Sequence, residues 1–268
     1  MANDTHMIFT AKNINEILYQ IKTVNNLQLV GGATYIGALP EKSLTIRNVS
    51  ELKFIDKHER YIDFGPAVTL NSILHMGPNY LPSVLYEGTQ SVANHIIRNM
   101  ATLGGNIMAK DPRLSLVAPL IALNTTLKFK TPKSFEIIPY AKFTEIPPES
   151  LLSGIRIPLE DWNVAIFKRL GPSYKISSNS CSFCFLADTE KNVLVTLRLC
   201  FSGPFIFQSQ TLETKYLGIR LPMSKNAIEE FIEIAKKEFD ECAKDKVYDP
   251  MLKQQFLNLI AYSLHELT

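Results

Sequence analysis

The sequence predicts a mixed α and β fold, and three observations support this. The first half alternates amphipathic helical stretches with short apolar strands, a pattern typical of small α/β units. From about residue 125 the sequence pattern becomes that of a series of strands, and the chain ends with amphipathic helical stretches. With 268 residues, 46% of them hydrophobic, the chain is long enough to fill more than one core.

The first half builds helix, strand and turn in order. AKNINEILYQIK has its apolar residues at helical spacing, with Asn13 as the predicted cap, and LQLV follows as a buried strand that runs into Gly31 and Gly32. SLTIRNV predicts a second strand. YIDFGPAVTLNSILHM predicts a strand, a Gly-Pro break and a short helix capped by Thr69. SVANHIIRNM predicts a further helix, and LSLVAPLIALN is apolar enough to require burial.

The second half is predicted to be rich in strands and to end in helices. The expected strands are TLKFK, FEIIP, LLSGIRIPL, VAIFKRL, SCSFCFLAD and VLVTLRLCFSG. The expected helices are SKNAIEEFIEIAKKEFDECAK and PMLKQQFLNLIAYSLHEL.

Composition excludes several classes of function. The net charge is only +2 and like charges do not cluster, so nucleic acid is not expected as a partner. The longest apolar run contains a proline and falls far short of the roughly 20 residues of a membrane span, and no secretory signal is visible. These features predict a cytoplasmic protein without a membrane span.

The cysteines predict neither a disulfide framework nor a metal site. The chain has 4 of them, and the CSFC pair lies in an alternating apolar stretch with no second pair or suitably spaced histidine. We therefore interpret all four as reduced, and Cys181 and Cys184 of the CSFC pair as residues of a core strand. The spacing that an iron–sulfur cluster needs is absent from this chain as well.

Two glycine pairs stand out, Gly31-Gly32 and Gly104-Gly105. Each follows an apolar or small stretch and precedes a polar side chain, Thr34 or Asn106. A single pair is more often a tight turn, but two pairs embedded in small residues favour bare backbone that approaches a phosphate or pyrophosphate. Neither pair fits the P-loop or the Rossmann pattern.

The motifs LVGGATYIGA, YIDFGPAVTLNSIL, IIRNMATLGGNIMAKDP, APLIALNTTLKF, ESLLSGIRIPL and FKRLGPSYKIS resemble, in order and spacing, the FAD-binding subunit of molybdenum hydroxylases. That family includes the flavoprotein subunit of carbon monoxide dehydrogenase and the flavin domain of xanthine dehydrogenase. The resemblance covers nearly the whole chain, is strongest from Leu29 to Leu127 and thins after about Ser202. An RNxATxGGN block paired with an upstream GG-x-T loop is far more specific than either half.

The resemblance implies an α+β fold in which two small α/β subdomains sandwich FAD, followed by a C-terminal domain with a β-sheet and helices. It places the FAD-binding domain at 1–160, with the subdomain boundary near residue 60, and the C-terminal α+β domain at 161–268. It implies no catalytic residue. The FAD contacts that it implies are Val30, Gly31, Gly32, Ala33, Thr34, Tyr35 and Ile36 in the first loop, Thr102, Gly104, Gly105 and Asn106 in the second, and Ser115 and Lys168 elsewhere.

Two positions depart from the family pattern. DPRLS offers Ser115 where the family commonly has an aspartate that contacts the cofactor, so a hydroxyl replaces a carboxylate. Tyr35 stands where smaller or charged residues are frequent, and its ring could pack on the flavin or block it.

The resemblance implies an electron-transfer subunit that passes electrons from iron–sulfur clusters of a partner chain through FAD to an acceptor such as NAD or a quinone. A molybdenum cofactor-binding subunit would oxidise the substrate. The alternative is a non-catalytic scaffold or assembly subunit with a flavin site weakened at Ser115 and Tyr35. A stand-alone flavin oxidoreductase is a third option, for which the sequence offers no convincing acid or base.

Overall fold

The computed structural model describes residues 6–172 and 175–267. The strands of the described chain are β1 (Met7–Thr10), β2 (Gln28–Val30), β3 (Lys42–Thr45), β4 (Ile55–Lys57), β5 (Tyr61–Phe64), β6 (Thr126–Lys130), β7 (Phe135–Pro139), β8 (Leu151–Pro158), β9 (Val164–Leu170), β10 (Cys181–Glu190), β11 (Val193–Ser202) and β12 (Ile206–Gln208). The α-helices are α1 (Ile14–Thr23), α2 (Leu70–His75), α3 (Ser83–Gln90), α4 (His95–Arg98), α5 (Leu103–Met108), α6 (Val117–Ala122), α7 (Gln210–Lys215), α8 (Lys225–Ala243) and α9 (Pro250–His265).

The described residues group into two compact units. The first unit consists of the chain up to Gly77, Asn94–Lys110 and Leu123–Leu159. The second unit consists of Pro78–Ala93, Asp111–Ala122 and the chain from Glu160 onward.

The first unit contains a small parallel sheet in the order β1-β3-β2. Helix α1 buries Ile17 and Leu18 in the core cluster beside this sheet, and the side chain of Asn13 caps it by accepting from the N–H of Glu16. Because β2 ends at Val30 and the chain then enters the Gly31-Gly32 loop, the predicted helix, strand and glycine turn are confirmed.

The first unit also contains an antiparallel sheet in the order β4-β5-β8-β6-β7. One face is apolar, and Phe64, Phe129 and Ile155 on it are fully buried. The alternate residues, among them Asp63, Lys128 and Arg156, lie on the other face. The sheet therefore has one core face and one polar face.

The second unit is built on an antiparallel sheet in the order β12-β11-β10-β9. Phe183 on β10 contacts the ring of Phe256 on α9, whereas the next residue, Cys184, pairs with Phe167 on the face where Gly88 of α3 packs. Since neighbouring strand residues point to opposite faces, α9 and α3 cover opposite sides of this sheet.

Phe256 lies at the centre of an aromatic cluster in the second unit. Its ring centroid is 4.9 Å from those of Phe207 and Phe239 and 5.2 Å from that of Phe201. All four side chains are fully buried. The strand that carries Cys181 and Cys184 is also buried as predicted, and all four cysteines are free.

The segment SVANHIIRNM is not one helix, contrary to the prediction. Only His95–Arg98 is α-helical, because Asn94 starts a new helix by accepting from the N–H of Ile97 and Ala93 has a positive φ of 43°. The longer helix lies immediately before it, at Ser83–Gln90. The short elements β1, β4, β12 and α7 were not predicted, since three to six residues carry little periodicity.

Within the described ranges, no helix combines the length and apolar composition that crossing a membrane requires.

We predict that Phe256→Ala lowers the free energy of unfolding by about 3–5 kcal/mol, because it opens a cavity among fully buried rings. Met251→Ala on the same helix, where the side chain is exposed, should change it by less than about 0.5 kcal/mol. Chemical denaturation followed by circular dichroism measures both. Equal effects of the two variants would contradict this account of the core.

Candidate functional site

The two glycine motifs meet in the first unit, and their main chains touch. A Cβ added to Gly32 would lie 1.8 Å from the carbonyl oxygen of Met100. One added to Gly31 would lie 2.7 Å from the Oγ1 atom of Thr102. No side chain fits at these distances, so the first reason for the bare backbone is the contact between the two motifs.

The second glycine motif forms the start of α5, whose N–H groups are used within the protein. The side chain of Thr102 caps the helix and accepts from the N–H of Gly105 at 3.0 Å. The N–H of Leu103 donates to the carbonyl of Val68 at 2.9 Å, and that of Gly104 donates to the carbonyl of Pro66 at 3.0 Å. The N–H groups in the first turn of α5 therefore have hydrogen-bond acceptors within the protein and do not need a ligand.

Close packing also explains Gly104. A Cβ there would lie 2.5 Å from the Cβ of Pro66, in the Gly-Pro break between β5 and α2. Residues 69 and 102 form an isolated antiparallel bridge beside this contact. The FGPA segment thus acts as a support for α5, a role that sequence reasoning missed although the Gly-Pro pair marked the position.

The first glycine loop, in contrast, presents free donors. Among the described residues, none accepts a hydrogen bond from the N–H groups of Gly31, Gly32, Ala33 or Thr34. Ala33 has a positive φ of 54°, the kind of turn that brings successive N–H groups to one side of the chain. Consecutive free N–H groups of this kind can bind an anion such as a phosphate.

The remaining side chains of the two motifs differ in exposure. Val30 ends β2, and its carbonyl accepts from the N–H of Ile46 at 3.0 Å. Tyr35 and Ile36 are exposed, although both are large. The Oδ1 atom of Asn106 is buried and has no hydrogen-bond partner in the part of the chain that the structure describes. A buried acceptor without a partner is costly, so a donor from a ligand would satisfy it.

Ser115 and Lys168, the other two predicted contacts, both belong to the second unit. Ser115 follows a turn fixed by the carboxylate of Asp111, which is 2.7 Å from the guanidinium of Arg113. The hydroxyl of Ser115 is 3.4 Å from the Nη1 atom of Arg169. Lys168 precedes Arg169 on β9 and therefore points to the opposite face of the sheet. Within this unit the structure groups Ser115 with Arg169, not with Lys168.

Arg169 is an unusual cation that sequence reasoning missed. Its guanidinium donates to the hydroxyl of Ser115 and to the carbonyl of Pro172 at 2.9 Å, but forms no ion pair with a carboxylate of the described residues. Its Nε atom is buried without a partner, and burial lowers the pKa of Arg169. Burial also raises the pKa of the neighbouring Cys181 to about 12, so this thiol is neutral. The only sequence signal for Arg169 was its place beside Lys168.

These features fit a flavin nucleotide. A row of free N–H groups suits its pyrophosphate, and the orphaned oxygen of Asn106 offers an acceptor for one of its N–H or O–H groups. The sequence comparison agrees: residues 3–160 match the family described as the FAD binding domain in molybdopterin dehydrogenase. This match spans more than half of the chain, which therefore belongs to that FAD-binding family of oxidoreductases.

Curated relatives are similar to parts of the chain. The medium chain of glyceraldehyde dehydrogenase from Sulfolobus acidocaldarius is 23% identical over 231 residues, which cover 79% of this chain and 80% of the relative. The medium chain of carbon monoxide dehydrogenase from Afipia carboxidovorans is 28% identical, over 46% of this chain and 45% of the relative. The indole-3-acetaldehyde oxidase of Zea mays is 27% identical over 59% of this chain, but the match spans only 12% of that oxidase.

Solved structures share the fold. A chain of the carbon monoxide dehydrogenase from Hydrogenophaga pseudoflava superposes with a TM-score of 0.83 at 16% identity, covering 97% of this chain and 96% of the other. A chain of quinoline 2-oxidoreductase from Pseudomonas putida gives a TM-score of 0.78 at 14% identity, with 97% of each chain covered. The predicted fold class and the predicted family are both confirmed, and FAD is the cofactor of that family.

We predict that Gly32→Ala destabilises the flavin-free protein by about 2 kcal/mol or more, because the new methyl group collides with the Met100 carbonyl. Gly37→Ala is the matched control, since nothing lies within 4 Å of a Cβ at that position. Thermal denaturation without flavin measures both variants. A Gly32→Ala protein that is as stable as the control would show that the two motifs do not depend on their main-chain contact.

We also predict that Ser115→Asp stabilises the protein by about 1–3 kcal/mol at neutral pH, because the new carboxylate gives Arg169 an ionic partner. The guanidinium should hold the pKa of that carboxylate below about 3.9, so the gain is present above this pH and disappears as the pH falls through the lowered pKa. Denaturation between pH 3 and pH 7 measures it, with Ser115→Ala as control. A gain that does not vary with pH would contradict the ion pair.

Proposed function

We propose that the chain is the FAD-binding electron-transfer subunit of a molybdenum hydroxylase-type dehydrogenase complex. The observation that carries the proposal is the contrast between the two glycine motifs. The N–H groups of the second motif donate to acceptors within the protein, and this motif packs against the first. The N–H groups of the first motif remain free, and the chain matches the FAD-binding family. Such a support holds the free donors in place before a cofactor arrives.

The residues of the first unit would hold FAD by its pyrophosphate. The N–H groups of Gly31, Gly32, Ala33 and Thr34 would donate to the phosphate oxygens, and Asn106 would accept from the cofactor. When bound, the isoalloxazine of FAD accepts and donates electrons singly or in pairs. The protein positions the cofactor and tunes its environment, and the exposed Tyr35 and Ile36 supply apolar surface at the loop.

The family pattern extends this proposal to Ser115 and Lys168. We assign them, together with Val30, Thr102, Gly104 and Gly105, to the FAD site on the basis of the family pattern. In this arrangement Thr102, Gly104 and Gly105 act by fixing α5, since their polar groups are occupied within the protein.

We infer that the partners are an iron–sulfur subunit, which delivers electrons, and a subunit with the molybdenum cofactor, which oxidises the substrate. The support is that a relative of nearly equal length is named the medium chain of a dehydrogenase. The proposed electron acceptor is NAD or a quinone. The proposed location of the protein is the cytoplasm. The domain boundaries at about 60 and 160 remain part of the same proposal.

The second candidate is a non-catalytic scaffold of the same fold. Ser115 stands where the family commonly has an aspartate, and this favours the scaffold. Its hydroxyl contacts Arg169 but does not supply the negative charge that a carboxylate would. This candidate requires that the purified chain remains colourless after addition of FAD.

The test is the absorption spectrum of the purified chain before and after FAD is added, followed by a flavin titration of Asn106→Leu. We expect a flavin spectrum for the wild type and a loss of affinity of about tenfold or more for the variant, which removes the acceptor. The stability of flavin-free Asn106→Leu should not fall, because the buried unpaired oxygen is lost. Asn25→Leu is the control, because this exposed asparagine lies outside both glycine motifs.

Full affinity in Asn106→Leu would remove this residue from the FAD site. A wild type that binds no FAD, alone or with its partner subunits, would leave the scaffold as the function.

A further inference from the structure

The polar face of the five-stranded sheet in the first unit carries a groove of about 630 Å³. No residue of either glycine motif lines it. Its volume lies within the range of small-molecule sites in proteins, roughly 300–1,000 Å³. We call it the lysine groove, after Lys128, Lys130 and Lys133, which line one end of it.

The floor of the lysine groove is open because of Gly154 on β8. A Cβ at this position would meet only ordinary contacts, 3.7 Å from the Cβ of Lys128 and 3.9 Å from a ring carbon of Phe54. Neither close approach nor a positive φ therefore requires glycine here. The missing side chain leaves space between Lys128 and Phe54, which a ligand can fill.

The three lysines give one end of the groove a concentrated positive charge. Lys128 and Lys130 alternate along β6 on the same face, and Lys133 lies in the turn that leads to β7. None of them forms an ion pair with a carboxylate among the residues described. The ammonium group of Lys128 is instead 4.7 Å from the ring centroid of Phe135. Like charges so close repel one another, and a bound anion would offset this cost.

The opposite end of the groove is acidic. Asp56 on β4 is exposed and forms no ion pair within the described chain, whereas Asp63 is neutralised by Arg156 at 2.7 Å. Glu51 lines the same end. Because β4 and β6 are three strand spacings apart in the sheet, the acidic and basic ends are separated by about 14 Å.

An apolar wall completes the basic end. Phe135 and Ile137 on β7 are 60% and 56% exposed, and both share the face of Lys128 and Lys130. Protection of the sheet edge does not account for the lysines, since Lys128 and Lys130 lie on β6 and not on the edge strand β7. The other end offers the half-buried ring of Phe54 beside the carboxylate of Asp56. The groove therefore describes a site for an elongated molecule with phosphate at one end and a flat ring at the other.

We propose that the lysine groove binds a nucleoside diphosphate, at a site separate from the FAD site. The lysines bind the two phosphates, the half-buried ring of Phe54 contacts the base, and Asp56 accepts from the amino group of that base. This inference goes beyond the proposed electron transfer and does not depend on it.

Calorimetric titration of ADP into the full-length chain, with and without saturating FAD, tests the proposal. With the flavin site occupied by saturating FAD, we expect ADP to bind with a dissociation constant below about 1 mM, and salt to weaken this binding. The double variant Lys130→Gln/Lys133→Gln should lose about tenfold or more in affinity. Lys142→Gln is the matched control, because this exposed lysine of the same unit does not line the groove.

Gly154→Val provides an independent test, since its side chain fills the floor of the groove without a backbone clash. It should abolish ADP binding under saturating FAD, while FAD binding and thermal stability stay unchanged. Titrations of inorganic pyrophosphate and adenosine separate the parts of the ligand, and each should bind more weakly than ADP.

Four outcomes would overturn the proposal: no ADP binding at 1 mM, loss of all ADP binding when FAD is saturating, equal affinities in the lysine variant and its control, or pyrophosphate binding as tightly as ADP. The first three place no nucleotide in the groove. The fourth reduces it to a site for phosphate alone.

Discussion

The contact between the main chains of Gly32 and Met100 is the constraint on which the rest of the candidate site depends. It fixes the first glycine loop against the segment that leads into α5, and α5 in turn is fixed against Pro66 and Val68. Each step is a contact between backbones, so each requires a residue without a Cβ or a hydrogen bond between main-chain groups. The position of the free N–H groups at Gly31–Thr34 is a result of this chain of contacts.

The two glycine pairs look alike in the sequence but have different roles in the structure. Both were predicted to bring bare backbone to an anionic group. In the second pair, Gly104 is bare because it packs on Pro66, and the N–H groups of Gly104 and Gly105 donate within the protein. Only the first pair combines close packing with free donors. A sequence shows where side chains are missing, but it does not show which atoms occupy the space, since these come from residues far along the chain.

The elements that the sequence predicted well are those with a strong local signal. Helix α1 with its Asn13 cap, α2 with Thr69, and the strands from β6 to β11 have clear periodicity or capping side chains. The prediction of one helix over SVANHIIRNM was wrong. The apolar residues of this segment suggest a single helix, whereas the side chain of Asn94 caps a new helix that begins at His95. Arg169 could not be predicted as a partner of Ser115, because their proximity depends on how β9 packs against a distant turn. The family resemblance identified FAD as the cofactor, whereas the residue patterns alone indicated only that an anionic group binds.

The internally satisfied start of α5 also bears on how the subunit matures. A helix end that relied on the cofactor for its hydrogen bonds would fray in the newly made chain, and the second motif would have to fold around the flavin. Here the hydrogen bonds of that turn are complete before any ligand arrives. The loop after Val30 is likewise fixed by the contact between Gly32 and Met100, so little entropy need be lost when an anion binds to its N–H groups. The geometry of the first turn of α5 therefore does not depend on a bound ligand.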